Sequence, residues 1–128
     1  MDDFEFLMNQ LEKFTGIEDL EPEAVDRIER ICSLDDFRNA AMSDLPLNQN
    51  AYILLKSRDA TLPRTEDEIA TVIRRIKACE YSGEFAEAES ILDIARFDAN
   101  CSDERKDDLI FCDEYSVEEI LAFCRKKW

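Results

Sequence analysis

Apolar residues recur along most of this chain at the three- and four-residue spacing of one face of an α-helix. The first such stripe spans residues 4–11, and Gly16 after it is expected to cap the helix in the left-handed conformation. Pro22 suits the first position of a second helix. Ser33 suits the N-cap of a third helix, which should end near Pro46. The first part of the chain therefore predicts three short helices.

The middle of the chain predicts a helical hairpin. Residues 48–57 contain a uniformly apolar stretch that periodicity alone leaves open between a helix and a strand, and we favour a helix. Thr65 and Glu68 have the spacing of a capping box, which opens the clearest helical stripe of the sequence. A second stripe follows Gly83, so residues 65–97 should form an αα-hairpin.

The last segment predicts two further helices. Ser102 is a candidate cap for a helix that continues to Phe111, and Ser116 with Glu119 forms a second capping box. The whole pattern predicts an all-α fold, a compact single-domain bundle of about seven or eight short helices. We treat residues 1–128 as one acidic α-helical domain, which is an ordinary size for a domain.

The hairpin resembles one tetratricopeptide repeat over a single period of about 34 residues. The resemblance rests on small, glycine and aromatic positions, which are occupied by Ala78, Gly83, Phe85, Ala88 and Ala95. Val72, Arg75 and Ile76 depart from the pattern of the first helix, and no second copy lies upstream or downstream. The resemblance implies a helical hairpin with similar packing. It also implies an alternative function, a tetratricopeptide-like adaptor that binds a partner peptide or helix in an apolar groove.

Charge changes the picture more than any other property of the composition. The formal net charge is -15, which exceeds what solubility requires of a domain this size. Residues 1–50 carry 13 acidic and four basic residues, and residues 79–128 carry 14 and six. Such a surface repels nucleic acid and anionic membranes and attracts a basic protein partner.

Candidate chemistry is sparse, and we expect neither an enzyme nor a cofactor or metal. Histidine is absent, which removes the commonest general base and metal ligand. Two distant glycines cannot build a phosphate-binding loop. The five cysteines are odd in number and scattered, so we interpret them as reduced thiols. Cys32, Cys79 and Cys124 should be small buried residues on apolar helix faces.

Two acidic clusters are the candidate partner-binding residues. They consist of Glu18, Asp19, Glu21, Glu23 and Asp26 around the start of the second helix, and of Asp103, Glu104, Asp107 and Asp108 near the C-terminus. Favourable interaction with a helix dipole, or solubility, explains part of this charge. A negative patch that steers the protein onto a basic surface explains the excess.

The composition resembles that of small acidic inhibitors encoded by phages and mobile elements. These include anti-CRISPR proteins and DNA mimics, and immunity proteins against nuclease toxins are similar. The resemblance implies a small inhibitor or immunity-type protein that blocks a positively charged, nucleic-acid-handling protein surface. The sequence has no basic leader and no apolar run of membrane-spanning length, so we expect a cytoplasmic protein. It does not determine the oligomeric state.

Overall fold

A computed structural model describes residues 1–102, 106–111 and 114–124 of the protein. Within these ranges the chain forms eight α-helices, one short 3-10 helix and no strand. The α-helices are α1 (Asp3–Glu12), α2 (Pro22–Ile31), α3 (Leu34–Ala41), α4 (Leu47–Ala60), α5 (Glu66–Ala78), α6 (Ala86–Asn100), α7 (Lys106–Phe111) and α8 (Val117–Cys124). The predicted all-α architecture and the number of helices are confirmed. No helix in the described part of the chain is long and apolar enough to cross a membrane.

The chain divides into two compact units, residues 1–58 and residues 59–128. The prediction of one domain over residues 1–128 stays a prediction. Helices α1 to α3 and most of α4 form the first unit. The apolar faces of these helices surround a core of Phe6, Leu7, Leu11, Ala24, Ile28, Cys32, Phe37, Ala51 and Leu54.

One arginine of α4 closes the C-terminal end of α2. The last carbonyl groups of a helix lack partners within the helix, and they lie at the negative end of its dipole. Arg58 donates to the backbone oxygens of Arg30, at 2.8 Å, and of Cys32, at 3.3 Å, and it also donates to the oxygen of Glu29. A single guanidinium therefore replaces the missing backbone donors and fixes α4 against α2.

The second unit is organised around the predicted hairpin, which α5 and α6 form. The inner face of α5 packs against α7, α8 and the end of α6. The core consists of Ile69, Val72, Ile73, Ile76, Phe97, Cys101, Leu109, Ile110, Ile120 and Cys124. Asn100, which is buried, accepts from the backbone N–H of Arg64 and donates to the carbonyl of Leu62, so the chain leading into α5 is held against α6.

The turn between α5 and α6 contains two residues with positive φ. Gly83 has φ 92°, a region that L side chains rarely adopt. Cys79, the C-cap of α5, has φ 53° and is exposed. The prediction that Cys79 is buried on an apolar helix face is therefore wrong, because the helix ends before it and the backbone changes direction there.

Several local predictions are confirmed. Both reciprocal hydrogen bonds of the Thr65–Glu68 capping box are present. The Ser116–Glu119 box is also complete, with bonds of 3.1 and 3.2 Å. Ser33 caps α3 by accepting from a backbone N–H. The ambiguous residues 48–57 lie within α4 and are helical, as favoured.

Two predicted helix ends are wrong. Helix α1 ends at Glu12, and Gly16 has φ 165°, so it is extended and does not form a left-handed cap. Helix α3 ends at Ala41, several residues before Pro46. The start of the helix predicted after Ser102 falls on residues 103–105, which lie outside the described residues, so this cap stays a prediction; the hydroxyl of Ser102 donates to the carbonyl of Cys124. Spacing identifies the helical face, but where fraying stops depends on contacts with other elements.

The cysteines differ most from expectation. Cys101 and Cys124 form a disulfide across 23 residues, which contradicts the interpretation of both as reduced thiols. Both residues are buried in the core of the second unit, where α8 brings them together. Cys32 is the buried free thiol that the sequence predicts. Burial, with a smaller effect from Asp36, raises the pKa of Cys32 to about 11, so its thiol is protonated at neutral pH.

Reduction of the disulfide should destabilise the protein. A cross-link that closes a loop of this length contributes about 3 kcal/mol by restricting the unfolded chain. We expect dithiothreitol to lower the free energy of unfolding of the native protein, measured by urea denaturation, by about that amount. The Cys101→Ala/Cys124→Ala variant should start at the lower value and ignore reductant, whereas Cys32→Ala should retain the response. A native protein that unfolds identically with and without reductant would contradict the disulfide.

Candidate functional site

A cavity of about 580 Å³ opens on the hairpin of the second unit. Its walls come from the segment before α5, from α5, from the turn and from α6. The lining residues are Asp59, Arg64, Glu68, Thr71, Val72, Arg75, Glu80, Tyr81, Ser82, Glu89 and Arg96. The volume is within the range of small-ligand sites, but most such sites have more apolar walls. The chemistry of this cavity is therefore set by charged and hydroxyl groups.

Helical periodicity produces two of these walls. On α5 the lining residues lie at positions 68, 71, 72 and 75, which repeat at the spacing of one helix face. On α6, Glu89, Asp93 and Arg96 follow the same rule. The apolar residues of α5 that alternate with this stripe, such as Ile69 and Ile73, are in the core. The same helix thus presents one face to the core and another to the cavity.

Asp93 is the centre of the site and is completely buried, with 0% of its surface exposed. Arg75 donates to its two carboxylate oxygens from Nε and Nη2, both at 2.8 Å. The hydroxyl of Tyr81 donates to Oδ2 at 2.8 Å, and Nη1 of Arg96 donates to Oδ1 at 2.7 Å. A buried carboxylate is tolerated only when it is paired and hydrogen-bonded, and these donors meet both conditions.

The electrostatics of this cluster favour the ionised carboxylate. Burial by itself raises the pKa of Asp93, but the hydrogen bonds from Arg75, Tyr81 and Arg96 outweigh it and leave the pKa below its ordinary value. Burial, followed by the hydrogen bond to Asp93, raises the pKa of Tyr81. The hydrogen bond to Asp93 likewise raises the pKa of Arg75. At neutral pH the cluster therefore consists of one carboxylate, two guanidinium groups and a neutral phenol.

A third guanidinium lies at the edge of the cavity. Arg64 donates from Nη2 to the backbone oxygen of Asp59 at 2.7 Å and to its carboxylate at 3.0 Å, and Nη1 lies 3.6 Å from a carboxylate oxygen of Glu68. Glu68 also completes the capping box, and the backbone hydrogen bond from Thr65 is the main reason that its pKa is lowered. Arg64 therefore links Asp59, near the end of α4, to Glu68 in the first turn of α5.

The first of the two predicted acidic clusters lies away from this cavity. The first cluster is in the other unit, where Glu18 and Asp19 belong to the 3-10 helix and Glu21, Glu23 and Asp26 follow at the start of α2. All five carboxylates are exposed. None of the five residues of the first cluster lines the cavity. In the second cluster, Asp103 and Glu104 lie outside the described residues. Asp107 and Asp108 belong to α7, but their side chains are not described.

Sequence reasoning missed the Asp93 cluster. Arg75 stood out only as a departure from the tetratricopeptide pattern, and Asp93 follows directly after Leu92, which belongs to the predicted apolar stripe. The available signal was an arginine and an aspartate on the two helices of a predicted hairpin. Charged residues on helices are usually exposed, so this signal was weak.

Neither a metal-ligand cluster of the described residues nor a known relative assigns a function to this site. Within the described ranges, no group of three or more Cys, Asp or Glu side chains is arranged to hold a metal ion. Comparison with protein-family models, curated proteins and solved structures finds no match to this chain. The site is therefore interpreted from its own geometry.

Replacing Asp93 by asparagine should destabilise the protein by about 3 kcal/mol at pH 7, because two guanidinium groups lose their buried partner. This value is near the lower end of the range for buried pairs, since the Arg75 side chain is 48% exposed. Urea denaturation of the native protein and of the Asp93→Asn variant measures the difference. Glu87→Gln, an exposed substitution on α6 outside the cluster, is the control and should change little.

The same comparison has a defined pH dependence. A carboxylate whose folded-state pKa is lowered stabilises the protein above its unfolded pKa of about 3.9, and this contribution is lost as pH falls through the folded-state value. The difference between the native protein and Asp93→Asn should therefore be largest near neutral pH and shrink below about pH 4. A difference that stays constant down to pH 2 would be inconsistent with an ionised Asp93.

Proposed function

We propose that this protein is a small acidic inhibitor or immunity-type protein, which binds and blocks a positively charged, nucleic-acid-handling surface of another protein. The observation that carries the proposal is the surface segment 18–26, named the acidic segment below. Its nine residues include five carboxylates and no basic residue. The segment presents all five of these carboxylates to solvent.

The acidic segment is not neutralised by the described part of its own unit. No ion pair of the described residues involves any of its five carboxylates. The closest basic residue in sequence, Arg27, instead donates to Asp3 and to the carbonyl of Met1, and its guanidinium lies 4.3 Å from the ring centre of Phe6. The negative charge of the segment is therefore available to an external partner.

Exposed carboxylates on a rigid backbone can replace the phosphates of a nucleic acid. A basic groove that binds nucleic acid attracts negative charge over long distances and gains free energy when its counterions are released. The 3-10 helix and the first turns of α2 order the backbone that carries the five carboxylates. A protein that occupies the groove in this way blocks the nucleic acid from it.

The tetratricopeptide-like adaptor is not supported to the same extent. An adaptor of this kind grips its target in an apolar groove on the hairpin. Among the described residues that line the hairpin cavity, Val72 is the only aliphatic one. We therefore retain the acidic inhibitor as the proposal.

Neutralising the acidic segment should abolish binding to a basic partner. Affinity capture from the native host with the wild-type chain as bait, followed by mass spectrometry, supplies the partner for measurement in purified form. Association of wild type should slow at least about tenfold as ionic strength rises from roughly 0.05 to 0.5 M, because salt screens the attraction. Duplex DNA or RNA should compete with the chain for the partner.

The key variant neutralises all five carboxylates of the segment to their amides, and it should lose binding. Its matched control neutralises five exposed carboxylates of the same unit outside the segment, namely Glu5, Glu12, Glu29, Asp36 and Asp44. Both variants have the same net charge, so only a local role separates them. Charge reversal of Asp103, Glu104, Asp107 and Asp108 tests the C-terminal cluster separately. Salt-independent binding, or equal binding by the key variant and its control, would contradict the proposal.

A further inference from the structure

The cavity of the second unit contains a pair of guanidinium groups held together by one carboxylate. Nη2 of Arg75 and Nη1 of Arg96 both donate to Oδ1 of Asp93, at 2.8 and 2.7 Å. Since the two bonds share an acceptor, these nitrogens can be at most about 5.5 Å apart, even if the bonds point in opposite directions. Two positive charges this close are stable because Asp93 compensates one of them. A carboxylate oxygen of Glu89, 3.8 Å from Nη1 of Arg96, offsets the other, so the pair offers hydrogen-bond donors and not an excess of positive charge.

Both arginines retain donors that the described residues do not use. Arg75 bonds through Nε and Nη2, so the two N–H groups of Nη1 are not engaged. Arg96 bonds through Nη1 alone, to Asp93, with a carboxylate oxygen of Glu89 at 3.8 Å. Planar guanidinium groups with paired donors are well suited to a carboxylate, which can accept from both. The pair is therefore a preformed anion-binding site.

The charge of the whole cavity limits which anion fits. Three arginines line it, against the carboxylates of Asp59, Glu68, Glu80 and Glu89, with Asp93 beneath. These groups carry a net negative charge, and the chain as a whole carries -15. A dianion such as phosphate is disfavoured by this field, whereas a ligand without net charge is not.

Glu80 supplies the complementary group. It lines the cavity, is exposed, and forms no ion pair with the described residues. The other lining carboxylates are already engaged, since Asp59 and Glu68 contact Arg64 and Glu89 contacts Arg96. Glu80 is thus the carboxylate that remains for a cationic group of a ligand, and the hydroxyl of Ser82 lies in the same wall.

We propose that this cavity binds a small zwitterionic ligand of the amino-acid class, a free amino acid or an unblocked short peptide. The carboxylate of the ligand binds Arg75 and Arg96, and its ammonium group binds Glu80. The volume of about 580 Å³ accommodates a ligand of this size. The site lies in the second unit and is independent of the acidic segment, so it goes beyond the proposed inhibitor function.

Isothermal titration calorimetry on the full chain tests the proposal without any partner protein. The probes are the free L-amino acids and unblocked dipeptides, each compared with its N-acetylated and its C-amidated form, and inorganic phosphate. At least one zwitterion should bind saturably, and its two blocked forms should bind at least about tenfold more weakly, because each lacks one charged contact. Saturable binding of none of the zwitterions at millimolar concentration would overturn the proposal.

Matched variants locate the binding. Arg75→Gln and Glu80→Gln should each weaken the zwitterion about tenfold or more. Arg74→Gln and Glu87→Gln change the same charges at exposed positions outside the cavity and should alter affinity less than about twofold. Glu80→Gln removes no described contact, so it decides the outcome even if Arg75→Gln fails to fold. Equal affinity for a zwitterion and its blocked forms, tighter binding of phosphate, or equal effects of the variants and their controls would overturn the proposal.

Discussion

The carboxylate of Asp93 is buried in the hairpin of the second unit, and three side chains donate hydrogen bonds to it from α5, the turn and α6. Removing a carboxylate from water is costly, so this position is stable only when all the donors are in place. The requirement fixes the register of the two helices and holds Tyr81 of the turn against α6. It also keeps Arg75 and Arg96 side by side at the cavity. The hairpin and the candidate ligand site therefore depend on the same buried charge.

Three arginines of the described residues have a common role. Arg58 donates to the C-terminal carbonyls of α2, and Arg64 links the end of α4 to α5. Arg75 compensates the negative charge of Asp93. Arginine suits such positions because its planar group donates in several directions at once. Since these cations make their contacts elsewhere, none of them forms an ion pair with a carboxylate of the acidic segment. The acidic segment at the start of α2 therefore keeps its negative charge, and the proposed inhibitor function depends on that charge.

The two proposals use opposite properties of the same composition. In the first unit, the five carboxylates of the acidic segment form no ion pair with described residues and create a field that acts on a basic surface at long range. In the second unit, carboxylates and guanidinium groups are interleaved, so the field largely cancels and short-range hydrogen bonds determine what binds. Long-range attraction governs the rate of association, whereas directional bonds govern selectivity for a small ligand. A chain with this composition can support both kinds of recognition in separate units.

Sequence alone determined the all-α fold, the hairpin and both capping boxes, because helices form from local hydrogen bonds and periodic apolar faces. For residues 48–57 it favoured a helix without excluding a strand, and the structure decided for the helix. Sequence also located the acidic segment, since its five acidic residues lie within nine consecutive positions and no tertiary contact is needed to bring them together. Only the tertiary structure decided the disulfide between Cys101 and Cys124, the exposure of Cys79 and the burial of Asp93. Each of these depends on where a helix ends or on which distant residues meet within a few ångströms. Periodicity assigns a residue to a helix face, but it does not identify the group that lies opposite.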